Sequence, residues 1–355
     1  MRSSLLTLAL VLVLPAAALA QSPSTTPAVG ADHLREAVGF LPPDTYWLGF
    51  TDWSRIRASL GAQDVNGESP LDDKMAVVMS TVQQEGAAAG FGVAHLQGHH
   101  KTWGWDTLDV DWEATYSGDG PPVSLVRLRE GVDVDAIAAH YDDYGFATEQ
   151  VSDATLRTHD FGEDWIRFSD LGVVNTAFFD DGRTLMFSSS LEELRDAVRR
   201  VVRTPLPGQP QVVDALEGAS AAWLVLAPDC GAFTPLPFDP LDPDASIRPL
   251  RSGEPLHPWT ALGIGYARPD WDPVGRIAMG FLEPAHAEAD LEPRATMARD
   301  GTSLVSQRPY ADAVFALDGG RVEDTTLLLE VSPVGEMPRR LFGMLQARDM
   351  AFARC

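Results

Sequence analysis

The chain runs to 355 residues, 45% of them hydrophobic, with 51 acidic against 27 basic side chains and a formal net charge of −24. That apolar content is enough for a real core, and a surface this negative repels phosphate backbones and anionic lipid, which excludes nucleic acid as a partner. The one dense basic cluster, Arg195, Arg199, Arg200 and Arg203, falls on a predicted helix beside acidic residues and reads as a solvated stripe.

Residues 1–20 read as a secretory signal: Arg2, then Leu5 to Leu14 without a charge, then Pro15 and Ala16-Ala17-Ala18-Leu19-Ala20 before Gln21. A positive start, a short apolar run and an Ala-x-Ala ending place cleavage after Ala20. Residues 21–31, rich in Ser, Thr, Pro and Gly, read as a disordered leader. No other stretch approaches the roughly 18 apolar residues a membrane span needs, so the mature chain is expected to lack a transmembrane segment and to be periplasmic or extracellular.

Tyr46 to Phe50 reads as a strand, and Asp52-Trp53-Ser54 opens a short helix through Leu60. Ser69-Pro70-Leu71-Asp72 starts another helix, running to about Glu85, with a capping serine, a proline at its first position and an acid in its first turn. Strands are predicted over Thr107–Tyr116 and Val123–Leu128, then a helix capped by Asp133 with Val134, Ile137, Tyr141 and Tyr144 on its apolar face, stopped by Gly145. Thr155–His159, Trp165–Phe168, Val174–Phe179 and Thr184–Ser188 follow as strands, and Ser190 with Glu193 forms a capping box ahead of Leu191, Leu194, Val198 and Val201.

The second half repeats the plan with different residues. Strands are expected at Ala222–Leu226, Ala261–Ala267 and Gly275–Phe281, then a helix over Ala285–Ala298 weakened by Pro293. Ala311–Leu317 and Thr325–Val331 pair around a turn at Asp318-Gly319-Gly320, and Arg339–Ala353 closes the chain as a helix. The fold class is therefore α+β: two tandem pseudo-repeat lobes, each an antiparallel sheet with helices packed on one face. The N-terminal lobe takes 32–203, a Pro-rich linker 204–210, and the C-terminal lobe 211–355 with a Pro-rich loop at 228–258.

Only Cys230 and Cys355 are present. In an oxidising compartment two such cysteines most simply pair, and closing so long a loop would constrain the unfolded chain by roughly 4–5 kcal/mol. The metal candidates are His95 and His99, four apart, and Asp239, Asp242 and Asp244 as a calcium set. The first pair lacks the Glu of a zinc hydrolase motif, and the second lacks the glycine and the terminal Glu of a calcium loop. Trp103, Trp105 and Trp112 lie close together and can form either a sugar or peptide platform or core filling, the filling being favoured because apolar strand residues flank them. Gly218-Ala219-Ser220-Ala221-Ala222 lacks the second glycine of a nucleophile elbow, and Gly263-Ile264-Gly265 lacks the third glycine of a dinucleotide loop. No cofactor is implied.

Leu41-Pro42-Pro43-Asp44-Thr45, Phe50-Thr51-Asp52-Trp53, Asp111-Trp112-Glu113 and a cysteine after the mid-chain strand together resemble a group of uncharacterised bacterial exported envelope proteins with a Leu-Pro-x-Asp-Thr opening. The resemblance implies a tandem α+β fold and an envelope address, and it carries no activity. The expected function is that of a non-catalytic binding or interaction protein, taking a partner protein or small ligand in a groove between the lobes. The alternative is a secreted hydrolase that uses carboxylates or a His-bound metal.

Overall fold

The computed structural model describes residues 33–80, 96–118, 120–159, 175–201, 209–226, 256–267, 273–303, 305–334 and 339–355. The expected signal and leader (1–31), the strand at 165–168 and the linker residues 204–208 lie outside this set, as do all but the last three residues of the Pro-rich loop 228–258.

The first half begins with α1 (His33–Val38), β1 (Trp47–Asp52), α2 (Trp53–Ser59), α3 (Leu71–Ser80) and α4 (Leu96–Trp103). β2 (Val110–Ser117), β3 (Val123–Leu128), α5 (Val134–Asp143), β4 (Ala147–Val151) and β5 (Ala154–Thr158) come next, before β6 (Asn175–Phe179), β7 (Thr184–Ser188) and α6 (Leu191–Arg200). Local chemistry accounts for the helix starts. Asp52 accepts from the Arg55 amide at 2.9 Å, Asp133 from Ala136 at 3.0 Å and Ser190 from Glu193 at 3.2 Å, each satisfying an amide that the first turn leaves open. The strand expected from Thr107 starts three residues late. Asp106 accepts from the Leu108 amide at 2.8 Å, the Asp109 carboxylate accepts from the Asp106 amide at 3.0 Å, and this capping box folds Thr107–Asp109 into a 3-10 turn.

The second half has α7 (Gln209–Ala215), β8 (Ala221–Val225), β9 (Ala261–Ala267), β10 (Val274–Gly280), α8 (Pro284–Asp300), α9 (Tyr310–Ala313), β11 (Phe315–Glu323), β12 (Thr326–Pro333) and α10 (Arg339–Gln346). Four expectations change here. Ala311–Ala313, expected to open a strand, complete α9, and the strand begins at Phe315. Gln209 and Pro210, expected at the end of the linker, open α7. Asp318-Gly319-Gly320 is no hairpin turn: β11 continues through it with a register shift at Leu317/Gly319, and the reversal comes at Asp324, whose φ is +52°. The last helix stops at Gln346, short of Ala353, because Arg348 takes a φ of +55°.

All the strands pair antiparallel in one twelve-stranded sheet, ordered β11-β12-β10-β9-β8-β1-β2-β3-β7-β6-β5-β4. The pseudo-repeat is visible in that order. Reading outward from the middle gives β1-β2-β3-β7-β6 on one side and β8-β9-β10-β12-β11 on the other, with β4 and β5 added in the first half. The halves meet where Leu48 faces Leu224 and Phe50 faces Ala222, and Asp32–Cys355 group as a single compact unit. The fold is α+β as expected, but the two sheets are fused edge to edge.

Helices were expected on one face only, but side chains alternate across a strand, so the sheet has two apolar faces and helices cover both. On one face a continuous core collects Leu48, Phe50, Trp112, Leu125, Met186 and Leu224 under α1, α6 and α7. α7 lies very close to the sheet. A Cβ on Gly263 would come within 2.7 Å of Leu216 and 2.9 Å of Val212, so the glycines of Gly263-Ile264-Gly265 serve helix packing. The other face carries two separate cores, one built by Trp53, Ile137, Tyr141 and Phe187 in the first half and one by Trp259, Ile264, Tyr310 and Leu329 in the second. In the latter, the buried Arg294 donates to Asp290 (2.9 Å) and to the carbonyls of His257 (2.7 Å), Phe352 (2.6 Å) and Arg354 (2.8 Å), fastening the end of the chain to α8.

Candidate binding face

Between those two cores, β2, β1 and β8 cross the same face of the sheet and carry a different set of side chains. The register places Trp47 opposite Val225 and Ser117, Gly49 opposite Trp223 and Thr115, and Thr51 opposite Ala221 and Glu113. Gly49 has no side chain, so the indole of Trp223 can lie across it and reach its diagonal neighbour Trp47. The two rings stack with centroids 5.0 Å apart and planes 17° from parallel. Both indoles are half-buried. Thr115 and Ser124 share a hydroxyl hydrogen bond at 3.2 Å beside them, and Ser117 donates to the carbonyl of Gly120 at 3.0 Å. At the far end Thr51 and Glu113 are buried. The result is a strip with a stacked aromatic pair at its centre, hydroxyls along one flank and a carboxylate at its end.

The residues singled out by sequence lie elsewhere. Trp103, Trp105 and Trp112 are wholly buried. Trp103 packs on Tyr141 at 4.9 Å, Trp105 on Phe187 at 6.3 Å and Trp112 on Phe50 at 6.3 Å, so their rings fill the core and form no platform. His99 is buried, its Nδ1 2.5 Å from the carbonyl oxygen of Trp105 and its ring edge-on to that indole, which makes it a packing histidine. His95, Asp239, Asp242, Asp244 and Cys230 lie outside the described residues. Among the described residues no group of three or more His, Cys, Asp and Glu is placed to hold a metal ion, and no cysteine is free.

Two polar clusters flank the first-half core. Lys74 is buried and its Nζ donates to Asp106 at 2.7 Å and to the Gly67 carbonyl at 2.6 Å. Asp109 accepts from the Gly67 amide at 2.8 Å, and burial, reinforced by Asp106, holds its carboxyl above the usual range. Arg57 donates to the Val110 carbonyl at 2.8 Å, and burial together with Arg129 pushes its guanidinium down to about 10. These bonds satisfy buried groups at the start of β2. They form a scaffold for the strand.

Sequence reasoning passed over Trp47 and Trp223, although each sits in an alternating run, Trp47-Leu48-Gly49-Phe50 and Ala222-Trp223-Leu224. The signal was present in each strand, but their juxtaposition depends on the β1·β8 pairing. No helix among the described residues is long and apolar enough to cross a membrane. No family model matches the chain, and no curated protein matches it. Among solved structures it is similar to TP0453: crystal form IV is 11% identical, covering 88% of this chain and 98% of that one with a TM-score of 0.38. Crystal form I is 10% identical, covering 88% and 97% with a TM-score of 0.36.

Proposed function

We propose that this is an exported, non-catalytic binding protein of the bacterial envelope, which takes its ligand on the strip of sheet between the two helix-covered cores. The stacked, half-buried Trp47–Trp223 pair carries the reading. An aromatic pair backed by a rigid sheet and flanked by the hydroxyls of Thr115, Ser117 and Ser124 suits a ligand with a flat apolar face and a polar rim, such as a sugar ring or an extended peptide. Export is supported by the signal pattern of residues 1–20, and a bridge between Cys230 and Cys355 by that destination. Intact mass of the secreted protein should match a chain beginning at Gln21, and non-reducing peptide mapping should recover the two cysteines in one linked peptide.

Tryptophan emission and thermal melting, followed during titration with oligosaccharides and peptides, test the binding site. A ligand at one hundred times its Kd should stabilise the wild type by about 2.7 kcal/mol and shift its emission. Trp223→Ala should abolish both responses. If every ligand leaves emission unchanged, or Trp223→Ala responds as the wild type does, the strip is not the site.

A further inference from the structure

Away from that strip, Arg340, Gly343 and Met344 of α10, with Ala347 just beyond its end, line a cavity of about 490 Å³. Its other walls are the turn around Ser303–Arg308 and the end of α9 at Ala313 and Val314. The volume is that of a small-molecule site. Its lining divides by character: Ala313, Val314 and Met344 give an apolar interior, while Arg308 and Arg340 are exposed and so stand at the mouth.

Acidic residues outnumber basic ones 51 to 27, and among the described residues neither Arg308 nor Arg340 is engaged by a carboxylate. Among the described residues the guanidinium of Arg340 donates only to the Ala313 carbonyl, at 2.9 Å, which leaves most of its donors unused there. Asp349, the one carboxylate among the described lining residues, is buried and receives the Ser303 hydroxyl at 2.5 Å. It keeps a second anion out of the interior and confines it to the mouth. A cavity that is apolar within and cationic at its mouth selects a particular kind of molecule. We infer that it binds a small amphipathic organic carboxylate, with the apolar body against Met344 and Val314 and the carboxylate on Arg340 and Arg308.

Gly343 supplies the control. An added Cβ there meets no atom within 4 Å, so a side chain at this position starts in open space on the cavity wall. Octanoate, octan-1-ol and inorganic phosphate are titrated by calorimetry into the wild-type protein. Octanoate should bind, the alcohol about ten-fold or more weaker, and phosphate not measurably. Arg308→Gln with Arg340→Gln should weaken octanoate about ten-fold and leave octan-1-ol unchanged, and Gly343→Leu should abolish octanoate binding. Trp223→Ala should bind octanoate normally, which separates this cavity from the strip. Equal binding of acid and alcohol, undiminished octanoate affinity in the arginine or Gly343 variants, or no octanoate binding by the wild type would overturn the assignment.

Discussion

His33 and Asp52 show how one residue can join three elements. Asp52 ends β1 and caps α2, yet its carboxylate also lies 3.0 Å from Nδ1 of His33 in α1. Burial works against the protonated imidazole, but Asp52, with Asp111 and Glu36 farther away, outweighs it and raises His33 above its usual value. A group whose folded pKa is raised stabilises most when protonated. Its contribution is therefore full below the unfolded value of about 6.5 and is lost as pH rises through the higher folded value. The melting temperature of the wild type should fall across that window relative to His33→Gln, and parallel curves for the two proteins would rule the linkage out.

At the scale of elements, the cap of α6 is a clean test of local chemistry. Ser190→Ala should cost about 1 kcal/mol in urea unfolding, since it removes only the acceptor for the Glu193 amide. Caps of this kind are legible in sequence because their chemistry is confined to four residues, which is why α2, α5 and α6 begin where their caps predict. β4 was not legible. Ala147-Thr148-Glu149-Gln150-Val151 has no apolar alternation, because it is the edge strand of the sheet and only Val151 is buried. Asp318-Gly319-Gly320 misled for the opposite reason. Its turn chemistry is real, but β12 offers continuous ladder partners, and the glycines absorb a bulge. The buried Trp103, Trp105 and Trp112 could be weighed as core fillers from their neighbours alone, whereas Trp47 and Trp223 required a partner strand.

For the whole molecule, the α+β class was legible in the order of elements, but the single sheet depends on a pairing between strands far apart in sequence. β1 is hydrogen-bonded on both sides, to β2 and to β8. A proline there removes a ladder donor from the middle of the sheet. Leu48→Pro should therefore destabilise both halves together, and calorimetry should show one cooperative transition moved to lower temperature. Two separate transitions, with the second-half one unmoved, would mean that the seam couples the halves only loosely.

The position of β1 also sets an order of events. It precedes the other described strands in the chain, and with β8 it forms the middle pair of the sheet. Its second partner begins at Ala221, so after β2 has paired the far edge of β1 stays open until about 100 further residues have emerged. Throughout that interval the backbone groups of Leu48 and Phe50 that later pair with β8 lie on an open strand edge, the kind of surface on which another chain can pair, and the arrival of β8 closes it.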